Sequence, residues 1–98
     1  MRQSKLTKAT RGRECQVRIP GICNGNPETV VLAHYRLAGT CGVGSKPNDL
    51  QGAWACSSCH DVIDGRHQAI SHNEARHLHA EGVMRTQDML VREGLVKA

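Results

Sequence analysis

Four cysteines fall into two pairs, and that arrangement constrains the fold of this chain more than any other feature. Cys56-Ser57-Ser58-Cys59 is a C-x-x-C, and Cys15 and Cys23 flank seven residues that include Pro20-Gly21. Two thiol pairs about 30 residues apart have the spacing of a structural zinc site, with four sulfurs placed tetrahedrally at about 2.3 Å from the ion. Free buried thiols are the plainer alternative. A fifth cysteine, Cys41, makes complete internal disulfide pairing impossible. It sits among Gly39, Gly42 and Gly44 and reads as spare, unless it replaces one of the first pair. The N-terminus, Met1-Arg2-Gln3-Ser4-Lys5, leads into polar residues without the apolar region of an export signal. A reducing, cytoplasmic setting is therefore expected, and there structural disulfides rarely persist.

Composition explains why such a chain needs a staple. It has 98 residues, only Trp54 and Tyr35 as aromatics, no Phe and a mean hydropathy of -0.45. The rings that usually supply most burial are nearly absent, so side chains alone give a thin core. Metal is the expected remedy. No apolar stretch approaches the roughly 20 residues needed to cross a bilayer, so no membrane partner is expected.

Charge is unevenly spread. Residues 1–20 carry six basic groups against Glu14 alone, a local +5, while the whole chain is +4. A basic arm before a near-neutral body is a handle for phosphate backbones. The alternative is a solvated leader that keeps the protein soluble.

Residues 1–13 read as a basic mobile arm and 14–98 as one domain. Cys15 to Cys23 suggests a short hairpin or knuckle, with Val17 and Ile19 alternating before the Pro20-Gly21 turn. Thr29 to His34 is the best strand. Residues 38–48 form an irregular loop, and Leu50 to Ala55 reads as a second strand weakened by Gly52. A helix is expected from Ser57 to about Gly65. Ser71-His72-Asn73-Glu74 has the form of a capping box and opens a helix of about 20 residues ending near Gly94.

The candidate chemistry lies at three residues. His34 closes the first strand, where its side chain can project from a rigid element. His60 follows the second C-x-x-C, and Asp64 comes four residues later. On a helix that spacing places imidazole and carboxylate on one face, about 5–6 Å apart at Cβ. Such a pair can hold a hard divalent cation, Mg²⁺, Mn²⁺ or similar, and leave room for water and phosphate oxygens. A neutral His34 opposite the ion is a competent general base, and the ion would stabilise developing charge on a phosphodiester. Each residue also has a plainer reading. His34 could be a core histidine bonded to a backbone carbonyl, and His60 a zinc ligand in place of a cysteine. Asp64 could pair with Arg66 or face solvent. Asp61 reads as a residue favouring a helix N-terminus. His67, His72, His77 and His79 read as solvated side chains, and Trp54 as the main apolar plug.

Strand-His34, a Gly-rich loop with Asn48-Asp49-Leu50, and Cys56-Ser57-Ser58-Cys59-His60 together resemble the HNH endonucleases, whose core is a ββα-metal finger. The resemblance implies His34 as general base, a loop residue, Asn48 or Asp49, that orients it, and His60 as a ligand of the catalytic ion. It also implies a structural zinc beneath the site. More narrowly, Cys15-Gln16-Val17-Arg18-Ile19-Pro20-Gly21, Val31-Leu32-Ala33-His34 and Ala55-Cys56-Ser57-Ser58-Cys59-His60-Asp61 are similar to the YbcO-type nucleases of lambdoid prophages. That likeness runs from about Arg11 to the C-terminus. Two departures matter. Many HNH proteins carry a metal ligand immediately before the base, where this chain has Ala33, so Asp64 is the candidate substitute. Asn48 stands eight positions before Cys56, more than the family's usual spacing, and Asp49 fits about as well.

The expected fold is therefore α+β, a small zinc-stapled ββα-metal (HNH-like) core with a long C-terminal helix. The expected activity is metal-dependent endonuclease cleavage of nucleic acid, DNA rather than RNA. Cys15, Cys23, Cys56 and Cys59 would hold Zn²⁺, while Arg11, Arg13, Arg18, Arg36 and Lys46 would grip phosphates. A catalytically silent zinc module that binds nucleic acid is the alternative that Ala33 and the stretched loop favour. A protein-interaction domain built on the long helix is the third.

Overall fold

Strand β1 (Val31–His34) pairs antiparallel with strand β2 (Gly52–Ala55), Val31 opposite Ala55 and His34 opposite Gly52, in the computed structural model, which describes residues 5–42 and 44–98. β1 starts later than its β-branched run suggests, because Pro27–Thr29 forms a 3-10 turn capped by the Asn26 side chain. β2 likewise starts at Gly52, since Asp49–Gln51 is a second 3-10 turn. Gly52 does more than weaken a strand. A Cβ there would lie 2.6 Å from Leu32 Cδ1 and Cγ, so glycine leaves room for the Leu32 side chain to lie across β2.

Helix α1 (Lys5–Ala9) precedes the strands; α2 (Ser57–Ile63) and α3 (His72–Arg92) follow them. The Cys56 thiol caps α2 by accepting the Cys59 N–H, and Gly65, at φ 78°, turns the chain away after it. Ser71 caps α3 as the S-x-x-E pattern predicts, its hydroxyl accepting the Glu74 N–H at 3.1 Å. The buried face of α3 runs through Ala75, His79, Gly82, Val83, Thr86 and Leu90 and packs on β2.

Trp54 is the plug, 1% exposed, with Val17, Ile19 and Leu90 among the other core residues. The free edge of β2 is closed without a third strand. Trp54 N–H donates to Thr86 Oγ1 at 3.0 Å, and its carbonyl accepts Gln16 N–H at 2.7 Å. The segment from Cys15 to Cys23 is a knuckle rather than a hairpin, with Ile22 and Cys23 N–H groups both returning to the Ile19 carbonyl.

Residues 1–4 of the stretch read as a mobile arm lie outside the described residues. Over 5–13 the chain instead carries α1 and packs onto the domain. Thr10 is buried, and Arg13 stacks 5.1 Å over the Trp54 ring while forming a two-point ion pair with Glu93. Among the described residues, no helix is long and apolar enough to cross a membrane.

Candidate metal centre and catalytic cleft

The knuckle and the start of α2 bring Cys15, Cys23, Cys56 and Cys59 together, with all four Sγ atoms within 4.8 Å of one another. The Cys23 and Cys56 sulfurs are 3.9 Å apart. Tetrahedral ligation at about 2.3 Å requires sulfurs separated by about 3.8 Å, so the donor set fits an ion such as zinc. A disulfide would need about 2.05 Å, and the five cysteines are free. A hydrogen bond from the Cys59 thiol holds Cys15 well below the usual thiol range, while the same bond and burial push Cys59 up. The cluster thus favours thiolate at Cys15, the form that ligates metal. Cys41 stays in its glycine loop, its thiol 3.9 Å from the Leu37 carbonyl.

His34 is placed by the end of β1 and Asp49 by the 3-10 turn before β2. His34 Nε2 lies 2.7 Å from Asp49 Oδ1, and both side chains are less than a fifth exposed. The other carboxylate oxygen accepts the Thr7 hydroxyl from α1 at 3.0 Å. Nε2–H directed at the carboxylate leaves the Nδ1 lone pair available, the tautomer a general base needs. Asn48 has its hydrogen bonds within its own turn. It caps its own turn by accepting Leu50 N–H and donates to Gln51.

On α2, His60 Nε2 is 3.5 Å from Asp64 Oδ2, as the four-residue spacing predicts. Arg66 also approaches that oxygen, at 3.8 Å, so Asp64 is shared between the two. Asp61 forms an ion pair with Arg66. Asp64 lines a cleft of about 160 Å³ together with His34, Arg36, His72, Arg76 and His79. His34 and Asp64 therefore share one opening, with His60 adjoining through Asp64. Among the described residues, the four thiols are the only set of three or more His, Cys, Asp or Glu donors this close together.

The expected phosphate contacts are scattered. Arg11, Arg18, Arg36 and Lys46 are exposed. Arg18 adopts φ 55° and donates to Gln16, and Arg36 donates to the Gly42 carbonyl. Arg13 is already engaged with Glu93 and Trp54.

His79 corrects the reading of the later histidines as solvated. It is 4% exposed, and its Nε2 is 2.8 Å from the Ala33 carbonyl, the peptide just before His34. Burial pushes its pKa down, which keeps the ring neutral and able to donate that bond. The Ala75, His79, Gly82/Val83, Thr86 and Leu90 stripe carried this signal at helical spacing. Thr7 and Arg76 had no such signal, since their partners are distant in sequence.

Residues 4–95 match the family described as "Putative nuclease YbcO". Proteins of that description from Escherichia coli (strain K12) and from Enterobacteria phage 82 are each 58% identical over 93 residues, covering 95% of this chain and 97% of theirs. A solved structure titled "Structure of a putative bacteriophage protein from Escherichia coli str. K-12 substr. MG1655" is also similar. It has a TM-score of 0.78 at 50% identity, covering 91% of this chain and 99% of that one. With the match spanning nearly the full length at that identity, the chain belongs to the YbcO family.

Proposed function

We propose that this protein is an HNH-type endonuclease that hydrolyses phosphodiester bonds in nucleic acid, DNA rather than RNA, with a divalent ion at His60 and Asp64. The observation that carries the reading is the His34–Asp49 pair at 2.7 Å, opening on the cleft that Asp64 also lines. His34 takes a proton from water at Nδ1 as the water oxygen bonds to phosphorus. The opposite P–O ester bond breaks, and solvent protonates the departing oxygen. Asp49 offsets the positive charge that His34 gains, and Thr7 steadies Asp49. A bound Mg²⁺ or Mn²⁺ would supply Lewis-acid stabilisation of charge on the phosphate oxygens. The four thiols would hold Zn²⁺ under the start of α2 and fix His60. Arg11, Arg18, Arg36 and Lys46 would contact flanking phosphates.

The test is nicking of supercoiled plasmid with Mg²⁺ or Mn²⁺ added. Parent protein should cut, and His34→Ala should lose cutting while keeping its far-UV circular dichroism and zinc content. Equal cutting by the mutant rules His34 out as the base. Ala33 and the two-ligand pair at His60 and Asp64 favour one other reading, a silent zinc module. Salt-dependent duplex binding without nicking would select it.

A further inference from the structure

We propose that Arg76 is the phosphate-binding residue of the cleft, holding the phosphodiester against His34, an inference that rests on the nuclease reading above. Its guanidinium lies 4.4 Å from the centre of the Tyr35 ring, a cation–π contact. The Tyr35 ring packs on His79 at 5.1 Å, and His79 bonds the Ala33 carbonyl at 2.8 Å. That stack fixes Arg76, on α3, relative to the peptide that carries His34. Such a donor needs little rearrangement when charge develops in front of it.

Charge in the cleft points the same way. Arg13, Arg66, Arg85 and Arg92 each reach a carboxylate within ion-pair distance. Among the described arginines, Arg11, Arg18, Arg36 and Arg76 form no such pair, and of these four Arg36 and Arg76 line the cleft. The carboxylate there, Asp64, is already approached by His60 and Arg66. Two guanidiniums facing an opening with one shared carboxylate favour an anion. A planar guanidinium offers paired N–H donors to two phosphate oxygens, which Lys cannot reproduce.

Two measurements test the assignment. The first is duplex binding by fluorescence anisotropy across a salt series, in a His34→Ala background so that the probe is not consumed. Arg76→Ala should lower the slope of log affinity against log salt by about one phosphate contact. Arg92→Ala, which removes a charge paired with Asp88, should leave it unchanged. The second is the single-turnover cutting rate with His34 intact. Arg76→Ala should slow it by about 10²-fold, Arg76→Lys should recover part of that, and Tyr35→Leu should slow it by about 10-fold through loss of the stack alone. Unchanged salt slope in Arg76→Ala overturns the proposal, whether or not the protein cuts. A slope that falls equally in Arg92→Ala overturns it too, as does a cutting rate within threefold of parent. Absence of cutting by the parent overturns the nuclease reading, whereas cutting by His34→Ala removes only His34 as its base; either outcome leaves the binding test standing.

Discussion

Replacing Asp49 with Asn removes one negative charge and turns the acceptor of the Thr7 hydroxyl into a donor, while keeping the oxygen that faces His34, which makes it a direct probe of the His34 pair. The amide is isosteric, so its oxygen can still accept Nε2–H at about the native 2.7 Å. What is lost is stabilisation of the imidazolium as His34 takes up a proton. Unit charges about 4 Å apart interact by about 4 kcal/mol at an effective dielectric constant of about 20. The side chains are 18% and 17% exposed, so solvent screening reduces this to about 2 kcal/mol. That corresponds to a rate loss of about 30-fold at neutral pH. Asp49→Ala should lose about 10³-fold, because the ring is then also free to turn or change tautomer. The assay is single-turnover nicking of plasmid with saturating Mn²⁺, with circular dichroism and zinc content confirming the fold. An Asp49→Asn enzyme within threefold of parent would refute the reasoning, since the carboxylate charge would then do nothing for the proton transfer. Equal losses for Asn and Ala would also refute it, by making orientation the whole effect.

Other perturbations probe the frame around that pair. Thr7→Val removes the 3.0 Å donor to Asp49 and should slow cutting by about 3- to 10-fold without lowering the melting temperature by more than a few degrees. Chelation of zinc should unfold the domain, with about one ion released per chain, and circular dichroism that persists after full chelation would exclude a structural role. Gly82→Ala gains about 1 kcal/mol of helix propensity. Its Cβ would sit 3.1 Å from Val17 Cα and 3.2 Å from the Gln16 carbonyl, backbone that the knuckle holds in place. Overpacking of about 1–3 kcal/mol should therefore win, and a higher melting temperature in the variant would contradict the close approach. His79 is buried neutral, with its folded pKa below the unfolded 6.5. The unfolded chain then binds more protons at mildly acid pH, so stability should fall as pH drops below 6.5. Denaturant titrations at pH 7.5 and 5.5 should show a smaller loss for His79→Gln than for parent.

Local signals made much of this architecture legible. Ser71 and Glu74 announced the start of α3, Gly94 its end, and the four cysteines their own cluster, because each effect acts within a few residues or through a fixed ligand count. The His60–Asp64 pair was legible for the same reason, since helical spacing dictates it. Contacts made by the fold itself were hidden. Thr7 reaches Asp49 across 42 positions, and Trp54 N–H finds Thr86 across 32. α1 is a five-residue helix without a strong apolar period, and tertiary packing rather than propensity explains it. His79 is hidden among His67, His72 and His77, which are exposed, and only its place in the buried stripe of α3 sets it apart.

Position 33 shows why the proposed catalytic ion would take its ligands from α2 and not from the strand. Successive residues of a strand face opposite sides, so when His34 faces the cleft, residue 33 faces the core. Ala33 is 2% exposed and pairs with Ala53, itself fully buried beneath α3. An Asp or His at 33 would meet that packed interior, and an unpaired carboxylate there would cost several kcal/mol. Its carbonyl is also committed, to His79. On the proposed nuclease reading, a metal in this cleft would draw its protein ligands from His60 and Asp64, and its remaining positions would fall to water and phosphate. A two-ligand site binds its ion weakly until the substrate completes the shell. It follows that divalent ion and nucleic acid should bind cooperatively, each tightening the other by the same factor. The Mn²⁺ concentration for half-maximal cutting should then fall as duplex concentration rises. An ion requirement independent of duplex concentration would mean that a further protein ligand completes the site.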